Sequence, residues 1–253
     1  HMCNKAYYQP IIIFAPGVLA GAVKVVITGT HSLFDLGLDP HLIIIKEMRA
    51  PHFAERFANE FSTQIKITVV ESSKAFDFSL ALKINDIIKK EKKKTIVHTH
   101  GLKALVICQF VFSSAFHIHT HHGNTSHNFK MRIYEWMADV AMKRCDQIIA
   151  VSEEMKLRLL KTLTPYKNIS VVPNMLSFKN ADQIRAFRKT RSRNDKIHLI
   201  FIGRISPEKG LIPFLNNFIQ FEPKKDFSIS ILGDGPEKEL ALSLVSEHHL
   251  ESK

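Results

Sequence analysis

Cysteine is scarce and tryptophan nearly absent, with three Cys and one Trp in 253 residues. Cys3, Cys108 and Cys145 are odd in number and show no Cys-x-x-Cys spacing, which excludes a disulfide framework and a thiolate zinc site and leaves reduced thiols. No apolar run approaches the roughly 18 residues a membrane-spanning helix needs. His1-Met2 reads as a cloning remnant, and no apolar signal-peptide core follows a basic start, so the expected location is cytoplasmic or the inner face of a membrane. There is no Asp-x-Asp segment, and no Gly-x-Gly-x-x-Gly follows the first apolar run, which argues against a dinucleotide-dependent dehydrogenase. Acidic residues are short as well: 24 against 35 Lys and Arg, a net charge of +11. That charge favours anionic partners such as nucleotide sugars, nucleic acid or acidic lipid headgroups without choosing among them. The basic residues concentrate in Lys89 to Lys94 and Arg185 to Lys196, with almost no interleaved aromatics. Nucleic acid is therefore not an expected partner, because single-strand binders use stacking platforms. A peripheral contact of either cluster with an anionic membrane competes with the plainer reading of a solvated helix end.

What the chain does have is a hydrophobic content of 45% and short apolar runs that alternate with helical patterns. The runs Ile11–Phe14, Leu42–Ile45, Ile65–Val70, Thr95–His98, His117–Thr120, Gln147–Val151 and Ile169–Val172 read as strands, followed by His198–Ile202 and Ser228–Leu232. Alternation of this kind predicts an α/β fold with a parallel sheet covered on both faces. Phe53, Phe57 and Phe61 recur every four residues, as do Leu80, Ile84 and Ile88, and each set predicts the buried face of a helix. The stripe Phe129, Ile133, Trp136, Met137, Val140 and Ala141 predicts a third, also buried. Ser152, with Glu153 and Glu154 behind it, predicts a helix N-cap with acids matched to the helix dipole. After Pro173-Asn174 the periodicity is lost, which predicts an acceptor-side domain over 1–175, a linker over 176–196 and a second domain over 197–253.

The chemistry concentrates in two loops of that last segment. Gly203-Arg204-Ile205-Ser206-Pro207-Glu208-Lys209-Gly210 and Gly233-Asp234-Gly235-Pro236-Glu237 each follow a strand and lead into a helical pattern, so both lie at strand carboxyl ends, where open α/β sheets bind ligands. Arginine offers a planar fork of donors and lysine a compact charge, so Arg204 and Lys209 suit a diphosphate, aided by backbone N–H groups and a helix N-terminus. As a bland alternative, both are surface cations flanking a helix start.

Taken together, FIGRISPEKG and ILGDGPEKEL, with QIIAVSEEMKLRLL and ISVVPN upstream, resemble retaining family 4 glycosyltransferases of GT-B architecture over most of the chain after about residue 95. The resemblance implies a complete N-terminal Rossmann-like domain followed by the first part of a second, donor-binding one. In the family that second domain goes on to a pair of glutamates separated by seven residues. Here Glu239 and Glu247 are placed too early, on the helix after the second loop, so the donor domain is expected to be incomplete. The implied activity is transfer of a sugar from a nucleotide diphosphate sugar to a cell-surface glycan or glycolipid, with retention and without a metal or other cofactor. Gly203, Arg204, Lys209, Gly233 and Gly235 would bind the donor. The family's Gly-Gly loop after the first strand maps to Ala15 through Lys24, where Gly21 matches but Ala20 and Val23 depart from the pattern.

Histidines form a second concentration: His98, His100, His117, His119, His121, His122 and His127. In strands, His98 and His100 share one face and His117, His119 and His121 another, so a metal site is geometrically conceivable, although no Cys or Asp joins the set. The resemblance points instead to His122, followed by Gly123, as the residue beside the donor sugar, with His121 as the register alternative. It places His98, His100 and Gly101 along the same cleft. Loops 28–40 and 124–130 would select the acceptor. The competing reading is a non-catalytic nucleotide or glycan binder, or half of a split enzyme that self-associates or docks a second chain through its incomplete domain.

Overall fold

The computed structural model describes residues 7–16, 21–48, 51–73, 77, 79–111, 114–123, 129–163, 168–174, 185–186, 197–220 and 227–248. The chain divides into two compact units, His1–Phe178 and Lys179–Lys253. The predicted linker, 176–196, lies outside the described residues apart from Arg185 and Ala186.

The first unit is built on seven parallel strands: β1 (Tyr8–Phe14), β2 (His41–Glu47), β3 (Lys66–Ser72), β4 (Lys94–His100), β5 (Phe116–His121), β6 (Gln147–Ala150) and β7 (Ile169–Val171). Their order is β3-β2-β1-β4-β5-β6-β7, which reverses direction beside β1, as in doubly wound sheets. The connecting helices are α1 (Gly21–Asp35), α2 (Pro51–Ala58), α3 (Ser79–Lys89), α4 (Leu102–Cys108), α5 (Phe129–Met142) and α6 (Glu153–Thr162). Central strands must be apolar on both faces, and Ile43, Ile44 and Ile45 of β2 are all fully buried.

Strand alternation sorts the core. Ile11, Ile13, Ile43, Ile45 and Val97 face α3 and α4, where Leu80, Ile84 and Ile88 form the predicted helix face. Ile12, Phe14, Leu42 and Ile44 face the other way, onto Val23 and Val26 of α1 and Ala54 and Phe57 of α2. Phe57 meets Phe14 and Phe61 edge-on, with centroids 5.2 and 5.1 Å away. A third cluster joins α4, α5 and α6 to Ile148 and Ala150 of β6.

Two helical expectations change. Residues 28–35 belong to α1 instead of a specificity loop. Thr28, Gly29 and Thr30 are weak helix formers, yet Thr30 is buried and its hydroxyl donates to the Val26 carbonyl at 2.7 Å, which satisfies it inside the helix. The α5 stripe is core only in part: Ala141 is buried and Met137 packs against the core, but Ile133, Trp136 and Val140 are 46%, 66% and 40% exposed. Small residues decide the contact, since Ala138 and Ala141 let α5 approach its neighbours closely and carry Met142 into the core. The Phe129 side chain lies outside the described residues.

Ser152 does cap α6, accepting from the Met155 N–H at 3.2 Å. Within the basic run, Glu91 accepts from Lys66 Nζ at 2.7 Å and contacts His41 Nδ1 at 2.7 Å, while Lys89, Lys90, Lys92 and Lys94 remain exposed. These lysines sit where β4 begins, at the amino edge of the sheet. Cys108 and Cys145 are buried thiols outside any disulfide, and burial raises their pKa, to about 12 for Cys145. Cys3 lies outside the described residues. Among the described residues, no helix is long and apolar enough to cross a membrane.

The second unit holds two parallel strands, β8 (Ile197–Ile202) and β9 (Phe227–Leu232), with α7 (Leu211–Ile219) and α8 (Lys238–Glu247). Phe201 and Ile231 pack on Ile205, Leu211, Leu215 and Ala241. The opposite face is bare among the described residues: Ile200, Ile202 and Leu232 are 54%, 77% and 53% exposed.

Candidate functional site

In the first unit the histidines gather at the carboxyl ends of β4 and β5. Register pairs His98 with Ile118, Thr99 with His119 and His100 with Thr120. Residues in register share a face, so the two histidine sets point to opposite sides of the sheet. This corrects the shared metal-site geometry, and no group of three His, Cys, Asp or Glu able to hold a metal occurs among the described residues.

On one side, His98 Nε2 meets Thr120 Oγ1 at 2.7 Å, and His100 Nδ1 meets His122 Nε2 at 3.1 Å. The His100 and His122 rings stack with centroids 5.3 Å apart, and His98 lies 4.2 Å from His100. On the other side, Thr99 Oγ1 is 3.0 Å from both His117 Nε2 and His119 Nδ1. His121 belongs to this second side, 6.3 Å from His119, so His122 and not His121 joins His98 and His100. His127 lies outside the described residues. Thr99 and Thr120 were the missed members, although the alternation of Thr and His in both strands was their visible signal.

Burial keeps these rings neutral. It lowers His98, with the charges of His122 and His117 adding to it, to about 4, and lowers His117 to about 4. His100 and His119 fall well below the ordinary value of 6.5 for the same first reason, and His122 is lowered by burial alone. A neutral imidazole both donates and accepts, so the His100–His122 pair passes one N–H between rings and leaves further capacity for a bound hydroxyl.

Gly101 makes the corner beyond β4. Its φ of 80° and ψ of 159° belong to a region open essentially to glycine alone, and its carbonyl accepts the Leu105 N–H that starts α4. Gly123 also has a positive φ, 85°, with Met155 against it. Gly21 is the first residue of α1, and a Cβ added there would meet nothing within 4 Å; the residues before it, 17–20, lie outside the described residues.

In the second unit the two predicted loops are fastened to each other by backbone. Gly203 N–H donates to Leu232 O and Ile205 N–H to Asp234 O, both at 3.0 Å, and Glu237 N–H returns to Ile205 O at 3.1 Å. A Cβ on Gly233 would lie 1.9 Å from Gly203 O, and one on Gly235 2.2 Å from Ile205 O. Both glycines are therefore required by the contact between loops. Arg204 is pinned on either side by these bonds, its side chain exposed while Ile205 turns into the core. Lys209 is exposed in the 3-10 turn Pro207–Lys209, which Gly210 ends in a left-handed conformation before α7. The two cations thus stand on one rigid loop at the carboxyl end of β8.

Residues 19–177, more than half of the chain, match the model of Glycosyltransferase Family 4. The chain belongs to glycosyltransferase family 4. Its fold is GT-B, shared with solved structures of low sequence identity. The lipopolysaccharide outer core galactosyltransferase WaaB, in its apo form, is similar at TM-score 0.67 and 15% identity, over 96% of this chain and 66% of that one. Anabaena HepE, in complex with UDP and glucose, is similar at TM-score 0.69 and 15% identity, over 96% and 67%. A TarM mutant from S. aureus, in complex with fondaparinux, alpha-GlcNAc-glycerol and UDP, is similar at TM-score 0.66 and 10% identity, over 96% and 76%. This family 4 chain spans just under two thirds of the WaaB chain. No curated protein matches its sequence.

Two outcomes follow from the geometry of this family 4 chain. Gly235→Ala forces a methyl into the Ile205 carbonyl and should cost about 3 kcal/mol or more, read as lost hydrogen-exchange protection of β8 and β9 amides. Gly203→Ala, whose Cβ would meet nothing nearer than Phe201 Cε1 at 4.0 Å, should change protection little; equal effects would contradict the loop contact. The histidines are neutral when folded but protonate below about pH 6.5 in the unfolded chain, so their contribution is complete above that pH and is lost as pH falls toward 4. A shift of this size is worth roughly 3 kcal/mol per group. The melting temperature of the first unit should drop most steeply between pH 6.5 and 4, with a shallower slope in His119→Gln; a flat wild-type profile would refute the assignment.

Proposed function

We propose that this chain carries the donor-phosphate and acceptor-side elements of a glycosyltransferase that moves a sugar from a nucleotide diphosphate sugar to a glycan or glycolipid, with retention of anomeric configuration. The observation that carries this reading is the pinned loop bearing Arg204 and Lys209 at the strand ends. In such a transfer the bond from the anomeric carbon to the diphosphate breaks while the acceptor hydroxyl oxygen bonds to that carbon and its proton passes to a leaving phosphate oxygen, and negative charge grows on the leaving group as the first bond breaks. Fixed cations and N–H groups lower that barrier without a protein nucleophile. Arg204 forks onto two oxygens, Lys209 neutralises a third, and the amino end of α7 adds partial positive charge.

The family membership of residues 19–177 supports the same reading. His122, held by His100, would hydrogen-bond the donor sugar or orient the acceptor hydroxyl, with His98, Gly101 and Gly123 beside it. His121 is assigned no part in that cleft. The scheme requires no metal or other cofactor, since the charge is met by side chains and backbone. Contact with an anionic membrane would engage the exposed lysines between 89 and 94, at the opposite edge of the sheet from the histidines.

A second reading draws on the bare face of β8 and β9. Ile200, Ile202 and Leu232 would normally be covered in a parallel sheet, which favours a half-enzyme completed by further polypeptide, either a second copy or another chain.

For the first reading, calorimetric titration with UDP, GDP and ADP should find one nucleotide that binds, weakened roughly threefold to fivefold by Arg204→Ala or Lys209→Ala. Unchanged binding in both variants would remove these cations from the site. For the second, light scattering should find concentration-dependent association that Ile202→Lys abolishes, whereas a monomer at every concentration would exclude self-pairing through this face.

A further inference from the structure

Gly29 lies in the middle of α1, where glycine is the poorest helix former apart from proline. Neither of the usual reasons for such a glycine applies. Its φ is not positive, and an added Cβ would meet no atom within 4 Å. What the missing side chain leaves open is space.

That space is a cavity of about 280 Å³. One wall is α1, through Val25, Leu33 and Leu36; the other is the sheet, through Ile149, Val151 and Val172. From Val25 to Leu36 the helix rises about 16 Å. The lining is mostly apolar; Thr28, Thr30 and Ser32 of α1 and Asn174 add polar side chains, and His98, His100 and Thr120 reach it from the sheet. His98, His100 and Thr120 belong to the hydrogen-bonded set that includes His122, so the cavity borders the predicted acceptor residues. Because α1 runs opposite to the strands, its far end at the 56% exposed Leu36 lies at the amino edge of the sheet, the edge that also carries the exposed lysines of β4.

A hollow that is mostly apolar and borders a cluster of hydrogen-bonding His and Thr side chains fits an amphiphile. We propose that this cavity holds the alkyl chain of a lipid-linked sugar acceptor, with the sugar at the His100–His122 pair and the chain lying against α1 beside Gly29. The inference rests on the transferase reading and names the chemical class of its acceptor. It also gives Gly29 its purpose, which is to keep the middle of the channel open.

The test is titration of glucose and of hexyl, heptyl and octyl β-glucoside, all below their micellar concentrations, followed by methyl NMR of valine and leucine. Glucose alone should leave the Val25, Val151 and Val172 methyls unmoved. The glucosides should shift them, with the dissociation constant tightening roughly fourfold per methylene. Gly29→Leu fills the cavity and should weaken octyl glucoside more than 20-fold while the melting temperature holds or rises; Gly29→Ala should weaken it less. Absence of chain-length dependence, or unchanged octyl glucoside binding by a folded Gly29→Leu, overturns the proposal. So do methyl shifts that follow protein concentration and not glucoside, which would mean a second copy covers the cavity. UDP, GDP and ADP titrated into the same samples report on the transferase reading separately: nucleotide binding without alkyl dependence overturns the acceptor class alone, and alkyl-dependent binding without any nucleotide supports the cavity while counting against the transferase.

Discussion

A parallel sheet buries apolar side chains on both faces, and the structure follows from how far that requirement is met. In the first unit, α3 to α6 cover one face from β3 to β7. On the other face, α1 and α2 cover β1 and β2 through Val23, Val26, Ala54 and Phe57. Beyond them, the half of that face formed by β4 to β7 carries His98, His100, Thr120, Ile149 and Val172, and these line a cavity instead of a core. In the second unit one face is packed and the other leaves Ile202 77% exposed. The surfaces with chemical interest are those where coverage stops.

Much of this was legible in the sequence because parallel strands are short, continuous apolar runs bounded by turn residues. Each predicted strand appears within a few residues of its expected limits, and Leu80, Ile84 and Ile88 bury as their spacing requires. The glycine-bearing loops were legible for a different reason, since residue identity there answers to a local steric demand. Gly233 and Gly235 have backbone carbonyls where a side chain would stand.

What the sequence did not carry was register between elements. A one-residue difference in how β4 meets β5 decides whether His119 neighbours His98 or Thr99 across the strands, and nothing in either strand alone specifies it. Trp136 illustrates the helical version. Its stripe is periodic, but α5 makes its contact through only the Ala141 and Met137 part of it, together with Ala138 outside the stripe, where small size allows close approach. Gly29 was obscure because a glycine inside a helix reads only as a weak point until its surroundings are known.

The two halves of the candidate chemistry use charge in opposite ways. The histidines are withdrawn from water and held neutral, so what they offer is hydrogen bonds whose geometry is fixed by neighbouring rings and threonines. Arg204 and Lys209 are exposed, where water and salt screen a cation strongly and an isolated ion contact is worth at most about 1 kcal/mol. Their placement on a loop held by three backbone hydrogen bonds removes part of the ordering cost but none of the screening. Strong stabilisation of a leaving diphosphate requires that water be excluded from both cations as the bond breaks. Nucleotide binding to this exposed pair should therefore be weak and salt-dependent.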